Sequence, residues 1–486
     1  MTNLLVVAAY FVALVGFGLW KARAVKGQEG FALADRGLPL PILLGTLLAT
    51  WTGTGSIFAN AGRAYHDGFG AFVLCLGPTA SFLVLIVLTG KVRARGRYTL
   101  QDLLEERFGP AARVLGMLTL VSAYLVIVSY QLRAAAIVLE MLLRDAGVSG
   151  VEGEHASVLV VVAVIIGVYT ALGGMLSVAF TDTFNGVLMT LGMLIALPVA
   201  WVLAGGVSGV LAHLPARDAS AEAHLSLPGI LSVALPTFLL VLGDANLHAR
   251  FLAARSARTA RTAVALLIPA TLFIDGSIIL VAIAGSVLLP GLAEPSHVMP
   301  ALASRVLPQP LAGLLMATVV AIIISTADSY LLTSGSTLLR DVWQRFVRPG
   351  ASDRELLSAA RWLVLLCTAV ALAMAFASAG FFDVAFLAYT IYGVGITPPL
   401  LAALFWKRAT PAGAVGSMLV GGVTTALWWG FDGPTRSAAA LHLPEGTQID
   451  AVIPALLLAT LTIVLVSLVT RPRAAQPATV LGAASA

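Results

Sequence analysis

The chain has 486 residues, of which 59% are hydrophobic and only 11% charged, and its mean hydropathy is +0.95. Soluble globular domains carry roughly 25% charged residues, so this composition excludes a water-soluble protein and makes lipid the main solvent. The net charge of +5 is no nucleic-acid signal; its meaning lies in where the charges sit. The apolar runs are long and continuous, which excludes an outer-membrane barrel with its alternating ten-residue segments. Cys75 and Cys367 both fall inside apolar runs, as small core hydrophobes and not as a disulfide framework.

Bilayer-length apolar segments of roughly 20 residues are predicted at 3–20, 38–65, 69–90, 112–142, 156–174, 176–204, 227–249, 262–290, 310–338, 356–379, 381–405, 411–431 and 451–470. These are thirteen transmembrane helices, an all-α polytopic membrane protein, with the termini on opposite sides. With the N-terminus outside, the inside connections hold all but six of the 29 basic residues; the six are Arg63, Arg133, Arg144, Arg217, Arg305 and Arg436. The positive-inside bias therefore puts the N-terminus outside and the C-terminus inside. The first segment has no basic residues before it and reads as a retained anchor. No linker or charge block divides the chain, so one transporter-like membrane domain spans 1–486, with a short Ala-rich tail, 471–486, expected to be disordered.

Two segments carry helix-weakening sequence near their middles. The second contains Ala49-Thr50-Trp51-Thr52-Gly53-Thr54-Gly55-Ser56; the seventh contains Leu242-Gly243-Asp244-Ala245-Asn246, with Pro236 shortly before. Glycine and small hydroxyl residues weaken helices, and in lipid the freed backbone groups must find other partners. Small residues also serve close helix packing. Two such breaks, five segments apart, fit an inverted five-plus-five repeat in which each repeat opens on a broken helix and holds solute and ion there. Other polar groups at membrane depth are Arg133, Asp182, Asp244, Asp275, Asp328 and Asp383, each costing a few kcal/mol or more unless solvated or paired. Asp275 and Asp383 lie close enough to segment ends to serve either an interfacial or a functional role.

These residues resemble the sodium:solute symporter family over nearly the whole chain. Ala34-Asp35-Arg36-Gly37-Leu38-Pro39 is similar to its entry motif, and Gly173-Gly174-Met175-Leu176-Ser177-Val178-Ala179-Phe180-Thr181-Asp182 to its fifth-to-sixth junction. Arg250-Phe251-Leu252-Ala253-Ala254-Arg255-Ser256 and Ser325-Thr326-Ala327-Asp328-Ser329 complete the resemblance, the last to the sodium motif. The resemblance implies a ten-helix core of two inverted repeats, about 38–204 and 227–405. It also implies sodium-coupled import of a small polar solute by alternating access in the cytoplasmic membrane.

Carried over, the main Na+ site uses the carbonyls of Ala49, Thr52 and Ile322 and the hydroxyls of Ser325 and Thr326. A hard cation wants about five oxygens, and this set supplies them without a carboxylate. The alternative for the two hydroxyls is back-bonding to their own helix. A second cation site would use Asp182, Ser325, Asp328 and Ser329, where Asp328 departs from a hydroxyl and can strengthen the site or carry a proton. Asp182 can instead cap the helix after the Gly-Gly turn, or latch the inner gate by pairing with a base or with the hydroxyls near Ser329.

For the substrate the candidates are Trp51, Ser56, Arg133 and Asp244. Trp51 resembles a cage tryptophan of the choline-transporter-like branch, but Arg133 and Asp244 stand where that branch has aromatics, so the cation cage is not intact. Thr390 stands where sugar-transporting members have glutamine. The expectation is that Arg133 forks a carboxylate, Asp244 faces an amino or hydroxyl group and Trp51 forms an apolar wall. The alternative is that Arg133 and Asp244 pair with each other. The substrate is then an amino acid or other small carboxylate, with a neutral polyol, sugar or nucleobase as runner-up. No reaction is expected to be catalysed: an intramembrane enzyme would need a nucleophile–base pair or metal cluster, and the seven histidines show no ligand spacing. A membrane sensor would need a signalling domain for which the tail leaves no room.

Overall fold

A computed structural model describes residues 2–22, 27–94, 99–148, 155–214, 224–377, 381–431 and 449–470, with 433, 436 and 440. The predicted tail, 471–486, lies outside the described residues, as does Arg217; the side chain of Asp383 is likewise outside them. Among the described residues the regular structure is helical, apart from one isolated parallel bridge between Leu38 and Ala254. Ten helical runs among the described residues are long and apolar enough to cross a membrane. Each of the thirteen predicted segments contains helix, but their boundaries differ from the prediction in two instructive ways.

The first half of the chain runs α1 (Thr2–Ala22), α2 (Gly27–Leu33), α3 (Leu40–Trp51), α4 (Ala61–Asp67), α5 (Leu76–Ala94), α6 (Leu100–Phe108), α7 (Pro110–Asp145), α8 (His155–Leu203) and α9 (Gly206–His213). The second runs α10 (Leu227–Gly243), α11 (Ala245–Ala253), α12 (Ala257–Leu288), α13 (Val298–Arg305), α14 (Leu311–Leu338), α15 (Asp353–Ala377), α16 (Phe381–Phe405), α17 (Pro411–Gly430) and α18 (Val452–Val469). The fifth and sixth predicted segments form the single run α8, bent where Gly174 adopts φ +65° and ψ 177°. A Cβ there would sit 2.8 Å from the Phe31 ring, so both the backbone angle and the close approach require glycine. The second predicted segment is divided: α3 stops at Trp51, and after Thr52 the chain resumes as a wider π-type turn, Gly55–Asn60, that leads into α4.

Of the ten apolar runs, the one most enclosed by protein is Leu311–Val347, α14 with its extension, in whose most apolar 18-residue stretch 83% of residues are buried. It packs against α7, α8 and α1, while α3 packs on α8 and α10 on α16. Enclosure on all sides explains why α14 can carry Ser325, Thr326, Asp328 and Ser329, all buried, without facing lipid. The Leu38–Ala254 bridge joins the two halves: the Leu38 amide donates to Ala253 O at 3.1 Å, and the Arg255 amide to Leu38 O at 3.2 Å. Beyond the apolar spans, a charged network ties α6 to α7 and to the end of α14. Arg113 meets Glu105 at 2.5 Å, Asp102 at 3.1 Å and also Asp341, while Arg345 meets Glu105 at 2.7 Å. The two Arg113 interactions with Asp102 and Glu105 hold α6 on a defined face of α7.

Candidate functional site

Both predicted breaks are present, and the side chains around them explain how the freed backbone is satisfied. At the first, Thr52 is extended (φ −73°, ψ 106°), and its carbonyl accepts a hydrogen bond from Thr326 Oγ1 at 3.1 Å. The Thr54 amide donates to Gln131 Oε1 at 3.3 Å, and the Thr54 hydroxyl donates to the same atom. At the second, Asp244 is extended between α10 and α11 and caps α11 by accepting from the Asn246 amide at 2.8 Å. The Tyr392 hydroxyl spans that gap, donating to Gly243 O at 2.8 Å and accepting from the Ala245 amide at 3.0 Å. One side chain therefore serves the last carbonyl of one half-helix and the first amide of the next.

Of the five predicted main-site residues, Thr52, Ile322 and Thr326 present oxygens to one another. Thr326 Oγ1 lies 3.1 Å from Thr52 O and 3.0 Å from Ile322 O. The second contact is the back-bond to its own helix; the first crosses to another element. Ala49 and Ser325 are fully buried beside them, but the Ser325 hydroxyl donates to Asp182 Oδ1. The donor set is neutral oxygen throughout, which suits a monovalent hard cation.

Asp182 lies two turns beyond the bend at Gly174, in the interior of α8. It therefore cannot cap that helix, and the capping alternative gives way to an ion pair. Its Oδ2 meets Arg250 Nη2 at 3.1 Å, both side chains being fully buried, and accepts from Thr46 at 2.6 Å. Arg250 also donates to Thr46 at 2.9 Å, to Ser329 at 2.6 Å, to Asn246 O at 3.2 Å and to the Asn246 side chain. Asp328, buried on α14, is within reach of Asp182, Arg250 and Ser329, and among the described residues neither of its oxygens has a partner at hydrogen-bond geometry. Asp182, Ser325 and Ser329 are thus joined directly or through Arg250, and Asp328 lies beside them.

The four substrate candidates separate into three places. Trp51 donates its indole N–H to Asp275 Oδ2 at 3.3 Å, and Ser56 lies close to the same carboxylate. Asp244 sits elsewhere, in a cage of aromatic hydroxyls: Tyr124 and the Asn246 amide donate to Oδ1, and Tyr330 donates to Oδ2 at 3.3 Å. Arg133 is half-buried on α7, about 13 Å further along that helix than Tyr124 at 1.5 Å per residue. Thr390, placed at the sugar-recognition position by resemblance, is buried with no partner for its hydroxyl. His248 bonds Leu242 O through Nε2 at 2.8 Å and packs edge-on against Phe251, a packing role.

Sequence reading missed several of these residues. Arg250 counts in the sequence as one of the inward-facing basic residues; here it is among the largest fully buried side chains. Its sequence signals, its place at the head of the family-like Arg250–Ser256 string and the four-residue spacing from Asn246 that puts both on one face of α11, name neither its burial nor its partner. Gln131, Tyr124, Tyr330 and Tyr392 carry none, since lone polar residues in apolar helices usually reflect packing.

Comparison with known proteins agrees with this geometry. The model of the sodium:solute symporter family matches residues 31–421. The osmoregulated proline transporter of Bacillus subtilis (strain 168) is 24% identical over 95% of this chain and 94% of its own length. The sodium/proline symporter of Haemophilus influenzae (strain ATCC 51907 / DSM 11121 / KW20 / Rd) is 28% identical over 76% of each. A solved structure of a Na+-coupled sialic acid symporter in a substrate-bound, outward-open state superposes with a TM-score of 0.78 at 16% identity, covering 97% of this chain and 98% of that one. The broken-helix fold, the neutral oxygen cluster and the family match over most of the chain lead to one conclusion: this multi-pass membrane protein belongs to the sodium:solute symporter family and couples sodium to the import of a small solute.

Proposed function

We propose that the transported solute is a small amino acid or related carboxylate, and that it moves with sodium by alternating access across the cytoplasmic membrane. The observation that carries the sodium part is the approach of Thr326 Oγ1 to Thr52 O and Ile322 O, at 3.1 and 3.0 Å. Those oxygens come from the two elements whose separation would open the site, α3 and α14. A cation held by Ala49, Thr52, Ile322, Ser325 and Thr326 therefore favours the state in which they are together, which is how ion binding biases a conformational equilibrium. Asp182, Ser325, Asp328 and Ser329 form the second cation candidate. There two carboxylates face one guanidinium, so one further positive charge, sodium or proton, would balance the cluster.

The solute class rests on the relatives, two of which transport proline by name, and on the half-buried guanidinium of Arg133. Arginine stays charged and forks a carboxylate with two parallel donors. Counting α8 as two crossings about Gly174, and each broken pair as one, gives thirteen crossings, ten of them in the inverted-repeat core, with the N-terminus outside by the charge bias. The test is sodium-driven uptake in proteoliposomes, with competition by a panel of amino acids, carboxylates and polyols. Carboxylate solutes should compete in the wild type and lose that advantage in Arg133→Gln. If they never compete, or compete equally well in Arg133→Gln, the carboxylate fork is discarded.

A further inference from the structure

Asp275 is a buried carboxylate half-way along α12, 7% exposed, facing the first helix break. It receives one hydrogen bond, from a neutral donor, the Trp51 indole at 3.3 Å to Oδ2, and the Ser56 hydroxyl lies close to it. Its other oxygen, Oδ1, has no hydrogen-bond partner among the described residues. A buried carboxylate held by a neutral donor, with one oxygen unsatisfied, is costly at membrane depth unless something supplies a positive charge.

We propose that Asp275 recognises the protonated nitrogen of the transported solute, with Trp51 as the ring against which that end packs and Ser56 as the residue that orients the carboxylate. The site takes an organic ammonium in preference to a metal ion. It has one carboxylate and one hydroxyl, too few oxygens for sodium, but it has an indole, and aromatic faces attract organic cations. The Trp51 indole is kept upright by its N–H bond to Asp275 and by edge-on packing against Phe82, with ring centroids 5.6 Å apart. The role that residue type alone suggests for Asp244 passes to Asp275, because Tyr124, Tyr330 and the Asn246 amide already occupy both oxygens of Asp244.

This inference extends the amino-acid reading above, and the test separates the two. Purified protein in saturating sodium is titrated with three ring compounds of similar size: L-proline, pyrrolidine, which keeps the nitrogen alone, and cyclopentanecarboxylate, which keeps the carboxylate alone. The readout is thermal stabilisation, which follows site occupancy. L-proline should stabilise at the lowest concentration of the three, and pyrrolidine at roughly tenfold lower concentration than cyclopentanecarboxylate, since a hydrogen bond to a charged group is at stake. Asp275→Asn keeps the shape and the acceptor for Trp51; it should abolish that preference and leave sodium's own stabilisation unchanged, while Asp275→Glu retains part of the preference. Equal potency of cyclopentanecarboxylate and L-proline in the wild type, a preference that survives Asp275→Asn, or no response to any of the three overturns the assignment. If pyrrolidine matches L-proline, Asp275 stands and the carboxylate reading falls. The wild-type titration decides the matter even if Asp275→Asn does not fold.

Discussion

Asp182 on α8 and Arg250 on α11 meet at 3.1 Å with both side chains withdrawn from all solvent. The pair ties the second half of α8 to the short helix that follows the second break. Through Thr46 and Ser329 it also holds α3 and α14. All four elements that line the ion region are thus fastened to one guanidinium.

Removing one partner of a buried ion pair costs roughly 3–5 kcal/mol, because the other is left uncompensated. Here the two single variants should differ. Asp182→Asn leaves Arg250 with Asp328 nearby to balance it, whereas Arg250→Gln leaves two buried carboxylates without a base. Arg250→Gln should therefore lower the melting temperature of purified protein more than Asp182→Asn, and the double variant should lose less than the sum of the singles. Equal losses, or the reverse order, would mean that Asp328 carries no charge in this cluster.

Ser325→Ala and Thr326→Ala each delete one oxygen from the proposed main site. A lost contact to a charge is worth roughly 1.5–3 kcal/mol, so the sodium concentration for half-maximal uptake should rise about tenfold or more. The double variant should be worse than either single. Unchanged sodium dependence in the double variant would sink the site assignment.

Gly53 sets the spacing between the break and α14. A methyl group there would lie 2.9 Å from Thr326 Oγ1 and 3.1 Å from Gln131 Nε2. Both neighbours are buried and packed, so the break must move outward to admit it. Gly53→Ala should weaken sodium dependence in the same direction as Thr326→Ala, although it removes no oxygen. Uptake titrated with sodium would reveal this, and a wild-type curve would show that α3 relaxes without disturbing the site.

Glu105, on α6 beyond the apolar spans, offers a pH test. Burial raises its pKa, but hydrogen bonds and charge from Arg113 and Arg345 outweigh that, and the carboxyl is held below its ordinary value of 4.5. A depressed folded value means that the ionised form stabilises the fold. That contribution is complete above about pH 4.5, the unfolded reference, and is lost as pH falls through the folded value. Glu105→Gln should lower the melting temperature at neutral pH and flatten its decline on acidification. An unaltered acid slope would show that the network with Arg113 is too solvent-screened to matter.

The membrane class, the apolar segments and both helix breaks were legible in the amino-acid order, because they depend on local properties. Twenty apolar residues must leave water wherever they sit, and glycine next to small hydroxyl residues weakens a helix regardless of its neighbours. The adjacency of Ser325 and Thr326 was legible for the same reason. Tertiary structure alone decided which polar groups met. Arg250 resembled one more basic residue on the inner side until α11 turned it toward Asp182, 68 positions away in the chain. Asp244 looked open to a ligand until Tyr124 and Tyr330 closed around it from two other helices. Asp275 appeared to lie near a segment end, yet it faces Trp51 across 224 positions. Electrostatic and hydrogen-bond partners are set by distance in space, and for helices packed in lipid that distance is fixed only after the whole bundle has assembled.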